Sequence, residues 1–360
     1  MISTVSAAAL AAILLTLAAS SGAADPAANP PPDAMPLPLA REVVNKTIEL
    51  VESKGVYPRS RAEYDQARAA LLAVVGTDAA QADRTAVHGG IRTLLATLDA
   101  DGHSFLSTPV QIQQRQSANM VRNAARPPVF RLVPTSRGTV LRWTPPPNVG
   151  IGAQVIDVNV KRFYDEADAH PDIKGACALV VDLSEQTGGN AWPPLVAMYP
   201  LFGNANKANW VDRDGKRAPV VDRAGLERTA HAYGGARTNP LAPYADGPLA
   251  VVVGSHTSSA GEMLLVALLG EQRVQTFGQT SHGLSTGNAT YALADGSTLV
   301  LTELRYALGD SQVYRGGIPA MHPSEKGESP EAAVRMAAEW AAAKSPACAA
   351  ARGAAAHDKA

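Results

Sequence analysis

LAVVVGSHTSSAGE, residues 249–262, joins an apolar run to an apolar helix through a turn of small residues. Leu249 to Val253 is short, continuous and rich in valine, as expected of a strand buried on both faces. Gly254 breaks the run, and a helix is expected from about Ala260 to Leu269. A serine at such a strand-to-helix turn has small neighbours and stands open to substrate. Its own backbone amide, or the next one, can help bind an oxyanion. The plainer reading is that Ser258 and Ser259 only cap the helix.

The same order occurs once before in the chain. ACALVVD at 176–182 reads as a second buried strand, followed by the turn LSEQTGGN at 183–190 and a helix around Pro193 to Leu201. Paired glycines after a buried strand let amide groups face a ligand oxygen, and the following helix adds its N-terminal dipole. Strand, helix, strand, helix predicts an α/β core. Val129 to Val133, Thr139 to Trp143 and Gly152 to Val158 read as further strands, and Val160 to His170 as a helix. Ala289 to Ala307 reads as a hairpin turning at Asp295-Gly296. Ser329-Pro330-Glu331 opens a last helix, and 346–360 is expected to be a disordered, Ala-rich tail.

The beginning of the chain has a different character. Residues 1–24 carry an uncharged apolar stretch from about Ala7 to Ala19, then small residues up to Ala24, the pattern of a secretory signal peptide. The stretch is shorter than the roughly 18 residues of a spanning helix. Residues 25–40 include PAANPPPDAMPLP and are expected to be an exported linker without helix. Val44, Ile48 and Val51 then share one helical face, and Ser60 with Glu63 forms a capping box for a helix that Gly76 closes. Val87, Ile91, Leu94, Leu95 and Leu98 share a third face. A helical N-terminal domain over 41–110 thus delivers a loop containing His103. Residues 111–128 read as a connector and 129–345 as the core domain.

Composition narrows the function. The 360 residues carry 32 Lys and Arg against 33 Asp and Glu, which leaves no basic footprint for nucleic acid or an anionic membrane. Two cysteines, Cys177 and Cys348, exclude a disulfide-rich scaffold and a Cys-rich zinc module. No metal is expected, because the chain has no His-Glu-x-x-His and no Cys-x-x-Cys, and no cofactor is expected, because it has no Walker loop or dinucleotide fingerprint. A serine nucleophile needs a base to take its proton. The loop histidines His103, His256 and His282 are the candidates.

These pieces resemble a family. LDADGHS at 98–104, VVDL at 180–183 with Gly188 and Gly189, TSSAGE at 257–262 and FGQTSHG at 277–283 are similar, in that order, to motifs of the C-terminal processing (tail-specific) serine peptidases and their tricorn-core relatives. The resemblance continues through LADGS at 293–297 and Gly317-Ile318 and spans about 41–323. It implies a crotonase/Clp-protease-like ββα core. The Ser-Ala-x-Glu pattern places the nucleophile on Ser259, with the Ala260 amide and Gly188 or Gly189 as oxyanion donors. Glu262, in the first helical turn, supports the dipole.

The departures from the family matter as much. The processing branch has a lysine base where this chain has Leu284, and no Lys or Arg lies between Arg273 and Arg305. The tricorn-like and retinoid-binding-protein-like branch uses a histidine in a loop that His103 matches, so the resemblance assigns His103 as general base, with His282 as rival. Arg315 stands about where that branch has its acid; Asp310 or Glu303 is the substitute for the third group. His322-Pro323 replaces the family's Pro-Asp. Too few residues separate Leu106 from Arg137 for an inserted PDZ domain. The expectation is an exported, periplasmic or extracellular serine peptidase acting on a peptide or protein substrate, with no integral membrane domain. The alternative is an inactive binding protein for a peptide or apolar ligand on the same fold.

Overall fold

The two buried runs lie side by side in the computed structural model, which describes residues 33–98, 102–114, 127–148, 150, 152–325 and 328–357. The expected signal segment falls outside these residues. The strands are β1 (Ala34–Pro36), β2 (Gln81–Asp83), β3 (Phe105–Ser107), β4 (Val129–Thr135), β5 (Gly138–Thr144), β6 (Ala178–Asp182), β7 (Ala208–Val211), β8 (Arg217–Pro219), β9 (Leu249–Val253), β10 (Val274–Gly278), β11 (Thr286–Ala292), β12 (Thr298–Leu308), β13 (Gln312–Val313) and β14 (His322–Pro323). The helices are α1 (Leu37–Ser53), α2 (Arg61–Val75), α3 (Arg84–Ala96), α4 (Ala153–Ala169), α5 (Trp192–Ala197), α6 (Arg223–Gly234), α7 (Ala260–Leu269), α8 (Pro330–Lys344) and α9 (Pro346–His357).

One sheet has the order β14-β10-β9-β6-β5-β4, parallel except for the antiparallel β4–β5 hairpin. Its central strands are buried on both faces, and alternate residues go to different cores. Leu179, Val181, Leu249, Val251 and Val253 pack with α4, α5 and α7, while Val180, Ala250 and Val252 pack against the alanines of α8. Two covered faces are why these strands read as unbroken apolar runs. The second sheet is antiparallel, β11-β12-β7-β8, with β3 and β13 also on β12.

The N-terminal helices share a core with this second sheet. Val44, Ile48, Val51, Leu71, Val87, Ile91 and Leu94 pack with Leu106, Leu299 and Leu301. Ser60 caps α2 by accepting the Glu63 N–H, as its sequence predicts. Asp295 in the β11–β12 turn bonds His88 of α3, with Nε2 and Oδ2 2.7 Å apart.

Three sequence expectations are corrected. Gly152 to Val158 is not a strand: α4 runs from Ala153 to Ala169, because Val160, Phe163, Tyr164 and Ala167 make one buried helical face while Val158 is exposed. Tertiary packing overrides the β-branched preference of its first turns. The linker ends sooner than residue 40. Met35, Leu37 and Ala40 are buried, and Pro38 sits in the first turn of α1, where its missing N–H costs nothing. The tail is helical over Pro346–His357, held by a disulfide between Cys348 and Cys177 and by Ser345 Oγ donating to the Cys177 carbonyl.

Candidate functional site

Both glycine-bearing turns leave the C-terminal ends of neighbouring parallel strands, the usual place for a site in an α/β sheet. Ser259 lies between β9 and α7 and is the one non-glycine residue with positive φ among the described residues, at φ 50° and ψ −114°. Such a conformation costs on the order of 1–3 kcal/mol and persists only where its surroundings hold it. A serine on a strained strand-to-helix turn is also the form of a nucleophile elbow.

The surroundings here are specific. Ser258 N–H donates to the Gln186 carbonyl (3.0 Å), and Thr257 Oγ1 donates to the Leu183 carbonyl (2.7 Å). Asp182 fixes that second loop from below, accepting Ser184 N–H and ion-pairing with Arg142. Close approach of the two loops requires glycine. A Cβ on Gly188 would stand 2.9 Å from Ser259 Cβ, and one on Gly189 would stand 2.0 Å from the Asn148 carbonyl oxygen. Both glycines have φ near +100°. The N–H groups of Ala260 and Gly189 have no acceptor among the described residues, while Gly188 N–H makes a long contact of 3.3 Å to Gln186 Oε1.

His103 reaches this turn from the helical unit. It precedes β3, whose pairing with β12 fixes its height, and Asn288 Nδ2 donates to its carbonyl (3.0 Å). Ser104 Oγ accepts the Thr302 N–H (3.0 Å). The ring then lies with Nε2 3.1 Å from Ser259 Oγ and Nδ1 2.5 Å from Thr286 Oγ1. The rivals are elsewhere: His256 is exposed beside Glu185, and the His282 side chain is exposed.

Glu262 is fully buried and holds the neighbouring loop. Its Oε2 accepts the Ser259 N–H (3.2 Å), and its Oε1 accepts Ser281 Oγ (2.5 Å) and Gly283 N–H (2.8 Å). Burial pushes its carboxyl up from the ordinary range, against the hydrogen bonds from Ser281, Gly283 and Ser259. A small pocket next to the serine–histidine pair is lined by His103, Leu284, Thr286, Arg305, Tyr314 and Arg315.

The expected third group is not brought to the histidine. Asp310 is in the exposed β12–β13 turn beyond Leu308, whereas Thr286 pairs with Arg305, so the end of β12 that precedes Asp310 is already about 10 Å further along at about 3.3 Å per residue. Glu303 instead accepts the Tyr291 hydroxyl. Thr286 was not singled out by the sequence. An uncharged hydroxyl at the start of a strand gives no signal until the fold brings it to Nδ1.

Residues 154–319 match the model of peptidase family S41. Over these residues the core resembles the S41 peptidases. Among curated relatives, a nisin-resistance protein of Lactococcus lactis subsp. lactis is 26% identical over 202 residues, 56% of this chain and 58% of the relative. Carboxyl-terminal-processing peptidase 2, chloroplastic, of Arabidopsis thaliana is 28% identical over 150 residues, 41% of this chain and 26% of the relative. The chain therefore spans 58% and 26% of the length of these two proteins. A lipoprotein from Streptococcus agalactiae superposes with a TM-score of 0.63 at 18% identity, covering 89% of this chain and 99% of that one. The photosystem II D1 C-terminal processing protease does so with 0.51 at 13% identity, covering 83% and 97%. These two likenesses show the fold alone, a mixed α/β architecture. Leu284, which the sequence resemblance sets against the processing branch's lysine, lines the pocket beside His103. Among the described residues no helix is long and apolar enough to cross a membrane.

Proposed function

We propose that the chain is an exported serine peptidase in which Ser259 attacks the substrate carbonyl and His103 takes its proton. The observation that carries this reading is the 3.1 Å approach of His103 Nε2 to Ser259 Oγ, a residue held at φ 50°. That distance is within the reach a general base needs. The carbonyl oxygen of the tetrahedral intermediate is received by the Ala260 N–H together with Gly188 or Gly189 across the two loops. His103 then returns the proton to the leaving amine, and water repeats the sequence on the acyl-enzyme.

Substrate selection falls to the cleft. Only residues 108–128 separate β3 from β4, too short for a PDZ domain, which needs about 80–100 residues. Export is supported by the signal-like first segment and by the Cys177–Cys348 disulfide, since such bonds persist in oxidising compartments. The nisin-resistance relative makes nisin the first substrate to try.

The experiment is to incubate wild type, Ser259→Ala and His103→Ala with a peptide library and with nisin, and to read the products by mass spectrometry. Cleavage by wild type alone supports the reading. Cleavage that survives Ser259→Ala refutes it. Binding of nisin without any cleavage favours a binding protein on the same fold.

A further inference from the structure

We propose that Thr286 is the positioning residue that sets the tautomer and orientation of the His103 ring. The proposal rests on the reading of Ser259 as nucleophile and His103 as base. A neutral imidazole has one N–H and one lone pair. To accept the serine proton at Nε2, His103 must carry its own proton on Nδ1, and that N–H needs an acceptor in a fixed place. Thr286 Oγ1 lies 2.5 Å from Nδ1, while Nε2 faces Ser259 Oγ at 3.1 Å.

The threonine is itself held. It opens β11, pairs with Arg305 of β12, is buried, and donates its own N–H to the Leu284 carbonyl (2.8 Å). Its β-branched side chain has little χ1 freedom, so Oγ1 stays where the strand puts it. When the serine proton arrives, His103 has N–H groups at both ring nitrogens. Nδ1–H continues to donate to Oγ1, and Nε2–H is ready for the leaving amine without a turn of the ring. The ring is thereby gripped between two elements that are both far from His103 in sequence, the α7 turn and the first residue of β11. A hydroxyl performs this orienting task as an acceptor without bringing a formal charge of its own.

Thr286→Val keeps the branched shape and removes the acceptor; Thr286→Ser keeps the hydroxyl. With folding checked by thermal melting, Thr286→Val is expected to lower kcat about tenfold or more, the value of one hydrogen bond, with KM within about twofold. Thr286→Ser should restore most of the loss. Nitrogen-15 NMR of the neutral His103 ring should show Nδ1–H in wild type and Thr286→Ser, and Nε2–H in Thr286→Val. Wild-type kcat in Thr286→Val, with Ser259→Ala and His103→Ala inactive, overturns the proposal alone, as does an Nε2–H tautomer in wild type. Activity in Ser259→Ala would instead overturn the underlying reading, and the NMR result, which needs no turnover, still judges Thr286.

Discussion

Glu262, three residues after Ser259, accepts the Ser259 backbone N–H with one carboxylate oxygen and Ser281 Oγ and Gly283 N–H with the other. One buried side chain therefore ties the strained turn to the loop that borders His103. Glu262→Gln can keep one oxygen toward Ser281 and Gly283 but must turn its NH2 toward the Ser259 N–H, placing donor against donor. We expect the fold to survive and kcat to fall at least about tenfold, because a lost charge-assisted bond is worth about 1.5–3 kcal/mol. Steady-state kinetics with a melting curve checks this. The sign of the pH effect is also fixed. Because burial raises the folded-state carboxyl above 4.5, wild type gains stability as pH falls through that raised value toward 4.5, and Glu262→Gln removes this part of the pH dependence.

The loop glycines separate activity from folding. Gly188→Ala, at φ +100° and with its Cβ 2.9 Å from Ser259 Cβ, displaces Ser259; on the proposed reading at least a tenfold fall in kcat is expected at about 1.4 kcal/mol. Gly189→Ala places Cβ 2.0 Å from a backbone oxygen that no side-chain rotation can move, so a lower melting temperature and poor folding are expected as well. Measuring both variants by melting and by kinetics distinguishes the two effects.

The disulfide is a stability element remote from the chemistry. Cys177 stands just before β6, whereas the Gly188 loop leaves the strand's other end. Reduction, or Cys177→Ser with Cys348→Ser, should lower stability by about 2–5 kcal/mol. At temperatures well below melting, kcat should be unchanged. A fall in kcat in a fully folded sample would show that α9 reaches the site.

Asp295 should mark the acid limit of the helical unit's attachment. Burial pushes its carboxyl up, but bonds from His88 and from the Ser297 side chain and backbone outweigh it and hold it at about 2, below 3.8. The depressed value stabilises the folded state above 3.8 by about 2 kcal/mol, and this is lost as pH falls toward 2. Asp295→Asn should lose that amount at neutral pH and show a flatter stability curve between these values. Urea melts at several pH values read it directly.

Much of this was legible in the sequence, for reasons that differ by element. β9, α7 and the Ser60 cap of α2 are legible at or close to their observed limits, because apolar runs, glycine turns and caps are local signals. Ser259 and His103 were legible only through motif order; 156 residues separate them, and no local rule places one against the other. The first turns of α4 are hidden in the sequence because Val155, Ile156 and Val158 have strand preferences that packing at Val160, Phe163 and Tyr164 overrides. Thr286 and the α9 disulfide were invisible because each acquires its role from a partner distant in the chain.

Labelling with a serine-directed phosphonate, mapped by mass spectrometry, tests the assignment of Ser259 most directly, since the probe needs the nucleophile, its base and the oxyanion donors but no knowledge of the substrate. One adduct on Ser259, absent from Ser259→Ala and strongly slowed in His103→Ala, is the expected result. A folded protein that takes up no probe, or takes it up on another residue, would contradict the account.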